Sequence, residues 1–70
     1  MKYEGTYVIE VSAFSTFMDE WQGYAMCATA TSLKRAVAQM NKFAKEKTKL
    51  RMRFRVLDPS GIIEEECSNA

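Results

Sequence analysis

The side chains most able to do covalent or metal chemistry in this chain are Cys27 and Cys67, which lie far apart in the sequence. Histidine is absent, so the chain cannot build a Cys–His or Ser–His nucleophile pair, and two isolated thiols do not make a zinc site. The acids at positions 64–66 form a contiguous run instead of a converging pair. We therefore predict a non-catalytic protein without cofactor or metal. The thiols are expected to be idle in a reducing compartment. The sequence does not decide whether they form a disulfide.

A basic stretch between Lys34 and Arg55 is the second feature with chemical potential. It holds nine basic residues and one acid, Glu46, although the net charge of the chain is only +1. Such a stretch suits a nucleic-acid groove, an electrostatically steered protein contact, or a charge ladder that keeps a sheet face soluble. The candidate partner-binding residues within it are Lys34, Arg35, Lys42, Lys45, Arg51, Arg53 and Arg55.

Large apolar side chains crowd one connecting segment, which contains Phe14, Phe17, Met18 and Trp21. Because Phe17 and Trp21 are four positions apart, a helical turn or a long twisted hairpin would fold both onto the end of the core. Trp, Phe and Met are also enriched at the centres of protein interfaces. The sequence leaves open whether this segment is core or interface, and it makes Phe17 and Trp21 candidate partner-binding residues.

Regular elements must position these residues. Residues 6–12 alternate between apolar and polar, and residues 22–31 combine aromatic, β-branched and small side chains, so both segments are predicted to be strands. Apolar residues at helical spacing over 33–44 predict an amphipathic helix with Thr31 or Ser32 as its N-cap. Strict alternation over 50–57 predicts a strand that places three arginines on one face.

The turn signal at 58–61 joins this strand to a short edge strand predicted over 62–66. If the turn closes a four-residue hairpin, Leu57 faces Ile62, and the pairs Arg55–Glu64 and Arg53–Glu66 lie directly across from each other. Glu10, on a neighbouring strand and the same face, is placed to pair with another arginine.

Together these elements predict one α+β domain over residues 1–70, in ββαββ order, with a frayed tail over 67–70. A right-handed crossover gives an antiparallel sheet of three to four strands in the order 2-1-3-4. The single helix packs on one face of the sheet, so the other face stays open for contacts. Exposed edges at the second and fourth strands offer a route to a homodimer.

The junction between the second strand and the helix reads Ala28-Thr-Ala-Thr-Ser-Leu-Lys-Arg-Ala36, with Tyr7-Val-Ile-Glu-Val before it and Met52-Arg-Phe-Arg-Val after it. Over roughly residues 6–57 the chain resembles small strand–strand–helix–strand proteins encoded by phages. These include type I-F anti-CRISPR proteins and a phage inhibitor of bacterial RNA polymerase. The resemblance implies a compact inhibitor that occupies a functional surface of a large host complex, and it assigns no binding residue.

We therefore predict a small protein-binding modulator, an inhibitor of phage or prophage origin that sterically blocks a nucleic-acid-handling host protein or ribonucleoprotein complex. The alternative is a nucleic-acid-binding module that uses residues 34–55. Aromatic side chains beside the arginines would favour this alternative because base stacking needs them, but the sequence predicts few on the open face. With neither a signal-like N-terminus nor an apolar run of about 20 residues, no membrane contact is expected, and the predicted location is the cytoplasm of a bacterial host.

Overall fold

An antiparallel sheet with one helix across it forms the architecture of the computed structural model, which describes residues 5–46 and 51–69. The elements in chain order are β1 (Tyr7–Ser15), β2 (Glu20–Trp21), β3 (Ala25–Ala30), α1 (Leu33–Lys45), β4 (Met52–Leu57) and β5 (Ile63–Ser68). β1 pairs with β3 on one edge and with β4 on the other, and β4 pairs with β5. The α+β class is confirmed, and the predicted order 2-1-3-4 corresponds to β3-β1-β4-β5.

β2 is an addition to the predicted fold. β1 runs on to Ser15 and turns back, so that Phe14 pairs with Trp21 and Ser15 with Glu20. Asp19 adopts the left-handed backbone conformation (φ 56°) in this turn, and the Met18 N–H donates to Ser15 Oγ at 3.1 Å. The segment is therefore a hairpin, and the alternative of a helical turn that would place Phe17 and Trp21 on one face is wrong.

Helix α1 begins after Ser32, whose Oγ accepts a hydrogen bond from the Arg35 N–H at 3.2 Å. This bond satisfies one of the free donors of the first turn and confirms the predicted N-cap. Lys42 and Lys45 lie in the last turn, where positive charge is favourable to the helix dipole. In the described part of the chain no helix is long and apolar enough to cross a membrane.

The core lies between α1 and the two central strands. Its fully buried residues are Ile9, Ala36, Met40, Phe54 and Val56. The ring of Phe43 stacks on that of Phe54 with centroids 6.2 Å apart. Burial of each large side chain stabilises the fold by about 1.5–3 kcal/mol, so this small set supplies much of the stability.

The register between β4 and β5 corrects the predicted charge pairs. The Asp58 N–H donates to the Ile62 carbonyl at 2.9 Å, and an irregularity beside Leu57 shifts the register after the turn. Leu57 therefore pairs with Ile63 and not with Ile62, Arg55 pairs with Glu66, and Arg53 pairs with Ser68. The predicted pairs Arg55–Glu64 and Arg53–Glu66 are wrong because the turn and the irregularity use more residues than a four-residue hairpin.

The end of the chain is also more ordered than predicted. β5 includes Cys67 and Ser68, and Asn69 forms two hydrogen bonds with the backbone of Met52. The frayed tail predicted over 67–70 is thus wrong for residues 67–69. Ala70 and the predicted strand start at residue 50 lie outside the described residues.

Two methionines provide a matched test of this core. Met40 is 1% exposed beneath the sheet, whereas Met18 is 57% exposed in the β1–β2 turn. We expect Met40→Ala to lower the free energy of unfolding by about 2–5 kcal/mol through lost burial and a cavity. Met18→Ala should leave it unchanged within about 0.5 kcal/mol. Urea denaturation followed by circular dichroism measures both, and equal effects would contradict this core.

Candidate functional site

The sheet face opposite α1 carries a layer of alternating cationic and aromatic side chains. Because Phe54 and Val56 of β4 point into the core, the alternation of the strand directs the neighbouring arginines to the other face. We call this layer the arginine–aromatic face, which consists of Phe14, Trp21, Tyr24, Arg51, Arg53 and Arg55.

Each guanidinium in this face lies over at least one ring. The Arg51 Cζ is 4.8 Å from the ring centroid of Phe14 and 5.5 Å from that of Trp21. The Arg53 Cζ is 4.3 Å from the Trp21 centroid and 5.4 Å from that of Tyr24. The Arg55 Cζ is 3.8 Å from the Tyr24 centroid. These distances are typical of cation–π contacts, which fix the orientation of both partners.

The β1–β2 hairpin positions two of the rings. Direct cross-strand pairing brings Phe14 and Trp21 together, and their rings meet edge to face with centroids 5.4 Å apart. The chain then returns toward β1, where the Gln22 N–H donates to the Ala13 carbonyl at 2.8 Å and Ser12 Oγ donates to the Gln22 carbonyl. These bonds hold the segment that ends at Tyr24, immediately before β3.

Ser12 shows that the layer is packed. It is 1% exposed although it pairs with Arg53 and therefore lies on the face away from α1. Its Oγ donates to the Gln22 carbonyl, so the segment that carries Trp21 and Tyr24 lies over it. The arginine–aromatic face is therefore built in part on backbone that returns over this side of the sheet.

Charge compensation is uneven along the arginine row. Arg55 donates from Nε to Glu10 Oε1 at 2.7 Å, and Glu66 lies across from it on β5. Glu10 thus pairs with an arginine of this face, but with Arg55 and not with a further one. Arg53 has serines, Ser12 and Ser68, as its neighbours on the adjacent strands. Its Nε is buried without a hydrogen-bond partner, which is an uncommon state for a buried donor.

The structure brings together Trp21, Arg51, Arg53 and Arg55 from the predicted set. The helix residues of that set, Lys34, Arg35, Lys42 and Lys45, are exposed on α1, which lies on the opposite side of the sheet. The described basic residues between Lys34 and Arg55 therefore do not form one surface. The expectation of few aromatics beside the arginines is also wrong, because three rings lie there. Sequence analysis did not select Tyr24, which precedes the bulged strand β3. Tyr24 lies two positions before Met26, and Met26 pairs with Glu10 on this face, so the two-residue spacing was the only indication of its position.

Phe17 lies apart from the layer, at the tip of the β1–β2 hairpin, where it is 97% exposed. Met18 beside it and Met26 on β3 are also exposed. The segment 14–21 thus divides into two parts, because Phe14 and Trp21 pack in the arginine–aromatic face while Phe17 and Met18 project from it.

Neither thiol belongs to this face. Both cysteines are free, with Cys27 exposed and Cys67 half-buried on the core side of β5. Burial raises the pKa of the Cys27 thiol, and burial together with the charge of Glu65 raises the pKa of the Cys67 thiol. Over residues 5–46 and 51–69 no enclosed pocket is found, and no group of three His, Cys, Asp or Glu side chains is arranged to hold a metal ion.

A comparison of the chain with protein-family models, curated proteins and solved structures found no match.

The stacked geometry of Arg53 is tested by a change that keeps its charge. Lysine lacks the planar group that lies over Trp21 and Tyr24, so Arg53→Lys should lower the free energy of unfolding by about 0.5–1 kcal/mol. Arg35→Lys, on the exposed side of α1, is the matched control and should have no effect. Urea denaturation monitored by Trp21 fluorescence measures both. An unchanged midpoint for Arg53→Lys would contradict a structural role for the stack.

The raised thiol pKa values predict slow alkylation near neutral pH. Only the thiolate reacts, and a raised pKa leaves less thiolate at any given pH. The rates of iodoacetamide reaction at Cys27 and Cys67 should therefore reach half their maximum at a higher pH than a cysteine in an unstructured peptide. Mass spectrometry of single-cysteine variants (Cys67→Ser and Cys27→Ser) gives each rate. A half-maximal rate at or below the pH found for the peptide cysteine would contradict the desolvated state of that thiol.

Proposed function

We propose that this chain is a non-catalytic binding domain that docks a larger protein through its arginine–aromatic face. Its action would be steric: the domain covers a functional surface of a nucleic-acid-handling host protein or ribonucleoprotein complex. The single observation that carries the proposal is the ordered layer of three arginines stacked on Phe14, Trp21 and Tyr24.

The composition of this layer supports a protein partner. Trp, Tyr and Arg are the residue types that most often dominate the free energy of protein association. Here they lie together on the uncovered face of the sheet, in orientations fixed by mutual stacking. A surface that is already ordered loses less side-chain entropy on binding, which raises affinity for a given area of contact.

The surroundings of the layer support the same class of partner. Phe17, Met18 and Met26 are exposed close to it in the sequence or in the strand pairing, and they offer apolar contacts that a phosphate backbone would not use. Glu10 and Glu66 lie at the Arg55 end and reduce the positive potential there. A surface with mixed charge and apolar groups fits a protein better than a uniform polyanion.

The inhibitor part of the proposal is supported by size and by the resemblance to phage-encoded inhibitors over roughly residues 6–57. A 70-residue domain without an enclosed pocket in its described residues is suited to occupying a surface of another molecule. On this proposal the protein acts in the cytoplasm of a bacterial host.

A second candidate function, binding of single-stranded nucleic acid, is favoured by one specific observation. The guanidinium groups lie over rings, and both arginine planes and aromatic rings are platforms on which unpaired bases stack. Against it, the faces of Trp21 and Tyr24 are already in contact with arginines.

Affinity capture with matched variants tests the proposed function. The immobilised domain should retain a stoichiometric protein from a bacterial lysate treated with nuclease. Arg51→Ala and Trp21→Ala should reduce retention at least about tenfold, as expected for interface residues that contribute 1.4 kcal/mol or more. Lys34→Ala and Lys42→Ala, on the opposite side of the domain, should leave it unchanged. Circular dichroism confirms that each variant is folded.

The same experiment separates the two functions. If Lys34→Ala and Lys42→Ala abolish retention while Arg51→Ala and Trp21→Ala do not, docking through the arginine–aromatic face is contradicted. If nothing is retained from the lysate, while fluorescence anisotropy shows that labelled oligo-dT binds at about 50 mM salt and dissociates steeply as salt rises, the domain is a nucleic-acid-binding module.

A further inference from the structure

The arginine row has one compensated end and one uncompensated end. At the compensated end Arg55 is paired with Glu10 at 2.7 Å. At the other end, Arg51 and Arg53 have no carboxylate within 4 Å among the residues that the structure describes. Two cations that share one neighbouring ring without an acid between them repel each other, so an anion bound there would be stabilised by both.

The geometry of these two arginines is fixed. Arg51 lies over Phe14 and Trp21, and Arg53 lies over Trp21 and Tyr24. Both guanidinium groups therefore contact Trp21, and their positions along the strand are about 6.7 Å apart, the length of two residues. The Phe14 N–H donates to the Arg51 carbonyl at 2.8 Å, which ties the exposed end of the row to β1.

Arg53 also has an unfilled hydrogen-bond donor. Its Nε–H is buried and has no acceptor, whereas the Nε–H of Arg55 is taken by Glu10. A carboxylate binds a guanidinium through two parallel hydrogen bonds and fills its donors in pairs. Folding thus supplies an acceptor for Arg55 from within the chain and none for Arg53. Since Arg53 Nε itself is buried, the donors that another molecule would reach are the terminal Nη groups of this half-buried side chain.

From these observations we propose that Arg51 and Arg53 form an oxyanion-binding pair that receives the carboxylate of an Asp or Glu side chain from the protein partner. This inference rests on the proposed function, because it names the chemistry that the partner brings to the face.

A single carboxylate fits the row better than a chain of phosphates. A polyanion that extends along the row passes from Arg51 and Arg53 to Glu10 and Glu66, where like charge opposes it. A carboxylate on a protein side chain is one localised charge, and its neighbours on the partner can be apolar groups that contact Phe17 and Met18, both of which are exposed.

Nuclear magnetic resonance titration tests the pair without knowledge of the partner. The ¹⁵N-labelled protein is titrated in separate arms with a capped glutamate-containing peptide, its glutamine counterpart, inorganic phosphate and oligo-dT. The glutamate peptide should shift the Nε–H signals of Arg51 and Arg53 and the indole N–H of Trp21 saturably. The signals of Arg55 and of Arg35 on α1 should not move, and the glutamine peptide should have no effect.

Substitution identifies the residues that bind the peptide. Arg53→Gln should weaken binding of the glutamate peptide at least about tenfold, as expected for loss of a charged hydrogen-bonding partner. Arg51→Gln, at an exposed position, should do the same without affecting the fold. Arg35→Gln is the matched control and should bind like the original chain. Equal weakening by all three variants would show that peptide binding depends only on the net charge of the protein, and it would overturn the pair.

The remaining outcomes are also decisive. Non-saturable shifts spread over every arginine overturn the pair, and binding of oligo-dT or phosphate at lower concentration than the glutamate peptide overturns the carboxylate as its ligand. Saturable peptide binding with no protein captured from lysate supports the pair and counts against the proposed function. Capture that survives Arg51→Gln and Arg53→Gln but is lost with Trp21→Ala overturns the pair and confines docking to the aromatic part of the face.

Discussion

The alternation of side chains along β4 is the constraint on which the rest of the structure depends. Phe54 and Val56 point toward α1 and form part of its buried core, and the same geometry directs Arg53 and Arg55 to the opposite face. A shift of this strand by one residue would bury the arginines and expose the core. Stability and the candidate binding face are therefore fixed by one register.

The arginine–aromatic face also solves a packing problem of a small domain. With a single helix, one side of the sheet has no element to cover it, and yet Ser12 on that side is buried. The aliphatic stems of arginine cover apolar surface while the charged ends remain accessible. The segment whose Gln22 carbonyl accepts from Ser12 also carries Trp21 and Tyr24, the rings that Arg53 and Arg55 lie over, so stability does not compete with recognition here. The same contacts explain how a surface of flexible residue types becomes an ordered one.

Sequence reasoning was successful where a period is long and regular. The apolar stripe of α1 and the alternation in β1 and β4 are each supported by several buried residues at the same spacing. These patterns therefore predict the fold class and the strand order. Two local features escaped it. The left-handed conformation of Asp19 closes a hairpin. The residue spacing alone was compatible with either a hairpin or a helical turn. The longer turn and the irregularity beside Leu57 change the β5 partners of Arg53 and Arg55, because a cross-strand pair depends on residue counts through the turn, which turn signals specify only approximately.

The position of charge in the sequence proved a poor guide to its position in space. Residues 34–55 read as one basic block, but the chain passes from α1 on one side of the sheet to β4, whose arginines face the other side. Acids from distant segments then decide which arginines stay uncompensated: Glu10 comes from β1 and Glu66 from β5. The consequence is a row in which Arg55 has a carboxylate partner, while Arg51 and Arg53 have none within 4 Å among the described residues. A partner that recognises this end must bring both negative charge and apolar surface, which makes charge compensation within the domain a determinant of the partner's orientation on it.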